Sequence, residues 1–247
     1  MELDSLWVFL ACAFGAEVLG TMAGFGAATV LTPIASFFMV IKIAVAIVAC
    51  FHLFGNAFRL CFFRRHVNWA IVRQFGLVAV LLSFSGAQAA AWLSSASMKV
   101  LLGGFLLVYT LLEAFHITAV RVPATTKTLL VGGITSGFVA GLIGTGGVIR
   151  SVCLLAFGLP KEAYLGTSAA IALIVDAIRV PVYVTQGFIP PTFVPVVISL
   201  IAVAFCGAWL GQRLVRAVSP VRFKQFVLVM LFLMGLKLLY DGLHGVG

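Results

Sequence analysis

Charge is scarce in this sequence. Only 9% of its 247 residues are Asp, Glu, Lys or Arg, where an ordinary globular domain carries roughly 25%. A soluble domain is thereby excluded, and so is intrinsic disorder, which needs low hydrophobicity and high charge. The five cysteines, Cys12, Cys50, Cys61, Cys153 and Cys206, are scattered through apolar runs with no CxxC pair. A metal knuckle or redox motif has no support, and small buried hydrophobes are the expectation. Paired carboxylates and His/Cys clusters at usable spacing, which a membrane-embedded enzyme needs, do not occur. Nor does the phosphate-binding pattern GxxxxGK[ST] that ATP-driven transport requires. No cofactor and no metal are indicated.

What is present is apolar. Hydrophobic residues make up 63% of the chain and the mean hydropathy is +1.20, so the chain is expected to be an integral protein of a lipid bilayer. A spanning helix takes about 20 apolar residues, and this length accommodates about eight with short loops and no appended catalytic domain. The start, Met1-Glu2-Leu3-Asp4, is acidic where a secretory signal carries positive charge, so 6–23 reads as a retained membrane segment. The net charge of +9 points to membrane orientation rather than to nucleic acid.

Apolar stretches cover 6–23, 27–40, 43–63, 70–93 and 99–118, then 128–143, 148–159, 163–185, 192–214 and 223–240. In each set the first two are short and separated only by Gly24-Phe25-Gly26 or by Gly144-Thr145-Gly146-Gly147. That is too little chain for an ordinary loop but enough to break a helix, since glycine tolerates bent backbone. Each pair reads as a helical hairpin. A shift of about 120 residues superimposes the sets, matching Gly24 with Gly144, Gly26 with Gly146, Phe37 with Phe157, Asn56 with Asp176 and Arg59 with Arg179; Gly86-Ala87 meets Gly207-Ala208 with one residue added.

Loops rich in Lys and Arg stay in the cytoplasm. Arg64, Arg65 and Arg73 mark one such connection, Arg121 with Lys127 a second, Lys161 a third, and Arg213, Arg216, Arg222 with Lys224 a fourth. The connections at 94–99 and 186–192 hold Lys99 alone and belong outside. Threading the chain through these assignments puts both termini outside. An odd number of crossings after each hairpin makes the second half the inverse of the first, a transporter signature. Lys42 and Lys237 run against the charge rule. The expected architecture is an all-α polytopic membrane protein of two inverted-topology repeats, 1–122 and 123–247, each a broken-helix hairpin plus three transmembrane helices.

Unpaired backbone at membrane depth survives only where it meets protein, water or a ligand. A helix N-terminus just after each break, at Ala27 and Val148, would favour an anion, although glycines also permit close helix packing. Candidate substrate-binding residues are Gly24, Gly26, Thr29, Gly144, Thr145, Gly146, Gly147, Arg150, Thr167 and Ser168. Thr21, Thr32 and Ser151 are further hydroxyls nearby, against the alternative that such groups bond neighbouring carbonyls. Asp176 with Arg179, and Asn56 with Arg59, share a helical spacing of three and are candidate charge partners or gates. Snorkelling to the lipid surface is the rival reading for the arginines. Arg150 is expected to contact an anion or to pair with Asp176. Glu17 and Glu113 are candidate proton carriers, and His52 and His116 weaker candidates for any role.

Gly24-Phe25-Gly26-Ala27-Ala28 with Pro33 following, and Gly144-Thr145-Gly146-Gly147 leading to Ala163-Tyr164-Leu165-Gly166-Thr167-Ser168, resemble the TauE/SafE family of membrane permeases, often described as sulfite exporters. Val67-Asn68-Trp69 resembles that family's short polar link, and the likeness covers almost the whole chain. The first glycine cluster is leaner than the family's, and Cys153 stands where Pro33 has its counterpart. The resemblance implies movement of sulfite, organosulfonates or related small anions across the bacterial inner membrane. The expectation is a secondary transporter, exporting a small sulfur-containing oxyanion by alternating exposure of a site between the hairpin tips. A proton or sodium ion is the candidate coupling partner, and a homo-oligomer is open. A passive anion channel and a non-transporting assembly subunit are the alternatives.

Overall fold

A computed structural model of the chain describes residues 3–24, 26–115, 122–214 and 220–245, with backbone alone for Ala23, Phe226 and 220–224. Of the residues singled out above, Met1, Glu2, Phe25, His116, Arg121 and Arg216 lie outside the described residues. The side chains of Arg222 and Lys224 do too.

Among the described residues the regular elements are all helical. They are α1 (Leu3–Ala23), α2 (Ala28–Ala35), α3 (Ile41–Phe63), α4 (Trp69–Trp92), α5 (Ser95–Ala114), α6 (Thr126–Ile143), α7 (Gly147–Leu155), α8 (Lys161–Thr185), α9 (Val194–Leu214) and α10 (Pro220–His244). All but α2 and α7 are long and apolar enough to cross a membrane, and the chain is a multi-pass membrane protein. With 8 and 9 residues, α2 and α7 rise only about 12 to 14 Å, less than half of a hydrocarbon core about 30 Å thick.

Local chemistry explains the boundaries. Ser94 Oγ accepts from Ser97 N at 3.0 Å, an N-cap that starts α5 one turn before the apolar run expected from residue 99. Asn68 Oδ1 accepts from Ile71 N at 3.2 Å and opens α4, so the polar link at Val67-Asn68-Trp69 is a capping element. The short arm expected over 27–40 stops at Ala35, because Ser36 Oγ donates back to the Pro33 carbonyl at 2.7 Å and the chain turns before α3 begins. Lys42 Nζ donates to the Ala91 carbonyl in the last turn of α4 at 3.1 Å, a cation at a helix C-terminus. Lys237 pairs with Asp241 on α10. Lys42 is thus held by a helix end and Lys237 by an ion pair within its own helix.

Helices α3 and α8 form the centre. Two-thirds of the apolar window of each is buried, against 28% in α9 and in α10, and Ala44 to Ala49 of α3 are buried on every side. A helix apolar all round belongs in the middle of a bundle. Around this α3–α8 pair, α4 packs on α6 and α8, α9 packs on α1 and α3, α5 packs on α10, and the short arms α2 and α7 lie on α3 and α8. The α4–α6 contact is the closest. A Cβ at Gly133, Gly137 or Gly141 would strike the backbone of Phe75, Ala79 or Ser83, the small-xxx-small approach by which helices associate in lipid without hydrophobic help.

Candidate functional site

The helices are interrupted at the expected glycines. Helix α1 ends where Gly24 N donates to the Gly20 carbonyl at 2.9 Å, and α6 ends where Gly144 N donates to the Ala140 carbonyl at 3.0 Å. Gly24 and Gly144 adopt φ of 78° and 82°, and Gly26 has φ of 93°. These left-handed values carry a Cβ penalty in every other residue, and a turn this tight depends on them.

The breaks are tethered inside the protein. At the first, Gly24 presses against the ring of Tyr164, and its carbonyl accepts from Ser168 Oγ at 2.8 Å. Ser168 Oγ also accepts from Arg150 Nε at 3.0 Å, so α7 and α8 together hold the tip of the first hairpin. Tyr164 is fixed in turn by donating to Ser151 Oγ at 2.9 Å. At the second break, Ser136 Oγ donates to the Gly146 carbonyl at 2.8 Å, and Gly147 opens α7. Thr145 Oγ1 donates to Thr29 Oγ1 across the two hairpins at 2.9 Å. Thr167 stands apart from this contact, since its Oγ1 accepts from Asn68 N at 2.9 Å and secures the start of α4.

Beside the tips lies a buried charged cluster. Asp176 Oδ1 accepts from Arg179 Nε at 2.8 Å and faces Arg179 Nη2 at 2.8 Å. Its Oδ2 accepts from Asn56 Nδ2 at 3.0 Å and faces His52 Nδ1 at 2.8 Å. Four donors fill the acceptor capacity of a carboxylate. Arg179 Nη1 donates to the Ala140 carbonyl at 2.7 Å and Tyr183 OH donates to the Gly141 carbonyl. The last turn of α6, just before the second break, is thereby clamped to α8.

The expected likeness between Asn56–Arg59 and Asp176–Arg179 ends at spacing. Asn56 has no charge to offer, and Arg59 turns instead to α1, where its Nε lies 3.2 Å from Glu17 Oε1, close enough for an ion pair but not aligned as a hydrogen bond. Thr21 Oγ1 donates to the same oxygen at 3.2 Å. Glu17 is fully buried, and Gly55 of α3 makes room for its carboxylate. Arg150 engages Ser168 rather than Asp176, because Asp176 is already filled. Glu113 stands near the end of α5.

Arg59 Nε and Nη2, beside Glu17, have no hydrogen-bond partner among the described residues, and two further buried nitrogens share that state. Arg150 Nη2 and His52 Nε2 are buried and have no hydrogen-bond partner among the described residues. They converge on one point: a Cβ at Gly26 would collide with His52 Nε2 and come within 3.6 Å of Arg150 Nη2. The first glycine break therefore faces an arginine donor and an imidazole nitrogen in an interior where leaving either unmatched costs about 1–3 kcal/mol. His52, one of the weaker candidates in the sequence, sits at the centre. Its signal was present in the one-turn spacing of His52, Asn56 and Arg59 along one helix face. Tyr183, one turn beyond Arg179, follows the same logic.

Short broken arms, buried ion pairs and eight apolar helices define a polytopic membrane protein built around interrupted helices, as transporters are. A family model described as Sulfite exporter TauE/SafE matches residues 9–238, and the chain belongs to that family. Membership makes its activity membrane transport of the sulfite-exporter type. No curated protein and no solved structure gives a match.

Proposed function

We propose that this chain is a secondary transporter that exports a small sulfur-containing oxyanion by alternating exposure of a site between the two glycine breaks. The observation that carries the reading is the convergence of Arg150 Nη2 and His52 Nε2, both buried and unpartnered, on Gly26. A cation of this kind at membrane depth marks a substrate path, and an oxyanion supplies the acceptors it lacks. Gly24, Gly26, Thr29 and Ser168 line the first tip, and Gly144, Thr145, Gly146 and Gly147 line the second. Thr167 braces the helix that carries Ser168.

Two inverted repeats, 1–122 and 123–247, account for the helix pairings. If α1 corresponds to α6, α2 to α7, α3 to α8, α4 to α9 and α5 to α10, the α4–α6 contact has its counterpart in α9–α1 and the α4–α8 contact in α9–α3. The α3–α8 and α5–α10 contacts then lie on the axis. Gly86, packed on α6, and Gly207, packed on α1, are the same position in the two halves. Family membership supports the bacterial inner membrane as its location, and the positive-inside argument puts both termini outside. Arg59 with Glu17 then guards the cytoplasmic end of the path, and Arg179 with Asp176 guards the outer end.

The test is purified protein in proteoliposomes loaded with sulfite, sulfoacetate or taurine, with and without an imposed pH gradient. Saturable efflux accelerated by substrate on the opposite side is expected, and Arg150→Gln is expected to lower it about 100-fold, since a charge-assisted contact is worth up to about 3 kcal/mol. Flux that neither saturates nor exchanges identifies a channel. No oxyanion flux from folded protein overturns the reading.

A further inference from the structure

The chemistry of the Gly26 face narrows the passenger further. Resting on the transport reading above, we infer that the transported species is a singly charged oxyanion that keeps one acidic O–H, hydrogen sulfite rather than the sulfite dianion or a sulfonate. Its O–H is received by His52 Nε2 and an anionic oxygen by Arg150 Nη2.

The imidazole sets this preference. His52 Nδ1 lies 2.8 Å from a carboxylate oxygen of Asp176, a distance at which Nδ1 must carry the hydrogen. Asn56 Nδ2, 3.0 Å from the same Nδ1, is a donor that bonds Asp176, and once Nδ1 carries its hydrogen the two nitrogens are both donors and make no bond to each other. With the hydrogen held at Nδ1, a neutral imidazole presents a lone pair at Nε2. A lone pair accepts a hydrogen bond and repels a bare anionic oxygen, so the ligand atom meeting it must be a hydroxyl. Arg150 Nη2, pointing at the same glycine, is a donor only and takes the anionic oxygen. One face thus combines an acceptor and a cationic donor.

The charged and titratable groups that face one another here are Glu17 on α1, His52 and Arg59 on α3, Arg150 on α7, and Asp176 and Arg179 on α8. The sulfite dianion and a sulfonate each bring an anionic oxygen to Arg150 but no hydroxyl to Nε2. Sites built to hydrogen-bond a substrate hydroxyl reject analogues that lack it far more strongly than shape alone allows.

The test needs only wild-type protein in proteoliposomes at a fixed sulfite gradient, with protein-free vesicles as the blank for unaided permeation. The membrane potential is varied until net sulfur flux stops. The zero-flux potential should correspond to one charge per sulfur, and flux should fall as pH rises through the second ionisation of sulfurous acid. Hydrogen carbonate should compete, and methanesulfonate and nitrate should not. In His52→Gln, whose amide offers Nε2–H donors, the preference for hydrogen sulfite over methanesulfonate should shrink by at least about tenfold. Two charges per sulfur, or equal competition by methanesulfonate in the wild type, overturns the inference while leaving the transport reading standing. Absence of any flux above the blank in folded protein overturns both.

Discussion

Helices α3 and α8 carry nearly the same polar pair at the centre of the protein, and one difference in chemistry separates their fates. On α8, Asp176 and Arg179 satisfy each other at 2.8 Å, and Arg179 spends its remaining donor on the Ala140 carbonyl. On α3 the matching residue is Asn56, so Arg59 has no local carboxylate and reaches Glu17 of another helix, with Nη2 left unpartnered. The first arrangement pairs its charges within one helix and clamps the end of α6. The second spans two helices and is incompletely bonded, which makes it the weaker contact. In the alternating access proposed above, the Arg59–Glu17 contact is expected to break first.

The largest expected effect breaks the pair on α8. Asp176→Asn removes the carboxylate that holds Arg179, His52 and Asn56, and stranding a buried charge this way costs about 3–5 kcal/mol. Thermal unfolding in detergent should show a large loss. The double variant Asn56→Asp/Asp176→Asn, which moves the carboxylate to α3, should recover part of it by bringing a partner to Arg59. A smaller loss, about 1–3 kcal/mol, is expected for Glu17→Gln, because Arg59 is poorly aligned on that carboxylate already and an amide still accepts from Thr21. Equal losses at the two sites would remove the asymmetry drawn here. Smallest is Thr145→Val, which deletes the hydroxyl bond between the hairpins and should cost about 0.6 kcal/mol, the mean for such contacts in membranes. Its readout is a change in exchange rate without a measurable change in unfolding temperature.

Much of the fold is legible in the sequence because lipid leaves few choices. An apolar run of about 20 residues must be a helix that satisfies its own backbone, and the eight spanning helices coincide with the long runs to within a few residues. Gly24, Gly26 and Gly144 mark the breaks for an equally local reason, positive φ. The charged cluster is less legible. Asn56, Arg59, Asp176 and Arg179 stand out as rare polar residues in apolar helices, yet spacing along one helix says nothing about Glu17 arriving from α1. Equally, it does not reveal that Arg150 is diverted to Ser168. His52 was undervalued because a single histidine in an apolar helix gains meaning only from the carboxylate opposite it, 124 residues away.

By itself, then, the sequence determined the solvent this chain lives in, the number and length of its helices, and the two points where they stop, all consequences of local backbone and transfer energetics. Only the tertiary structure decided which buried charge answers which, because pairing depends on distances of about 3 Å between residues on different helices. Among the groups that this pairing leaves unmatched, the two nitrogens at Gly26 stand out because they come from different helices and meet at one point.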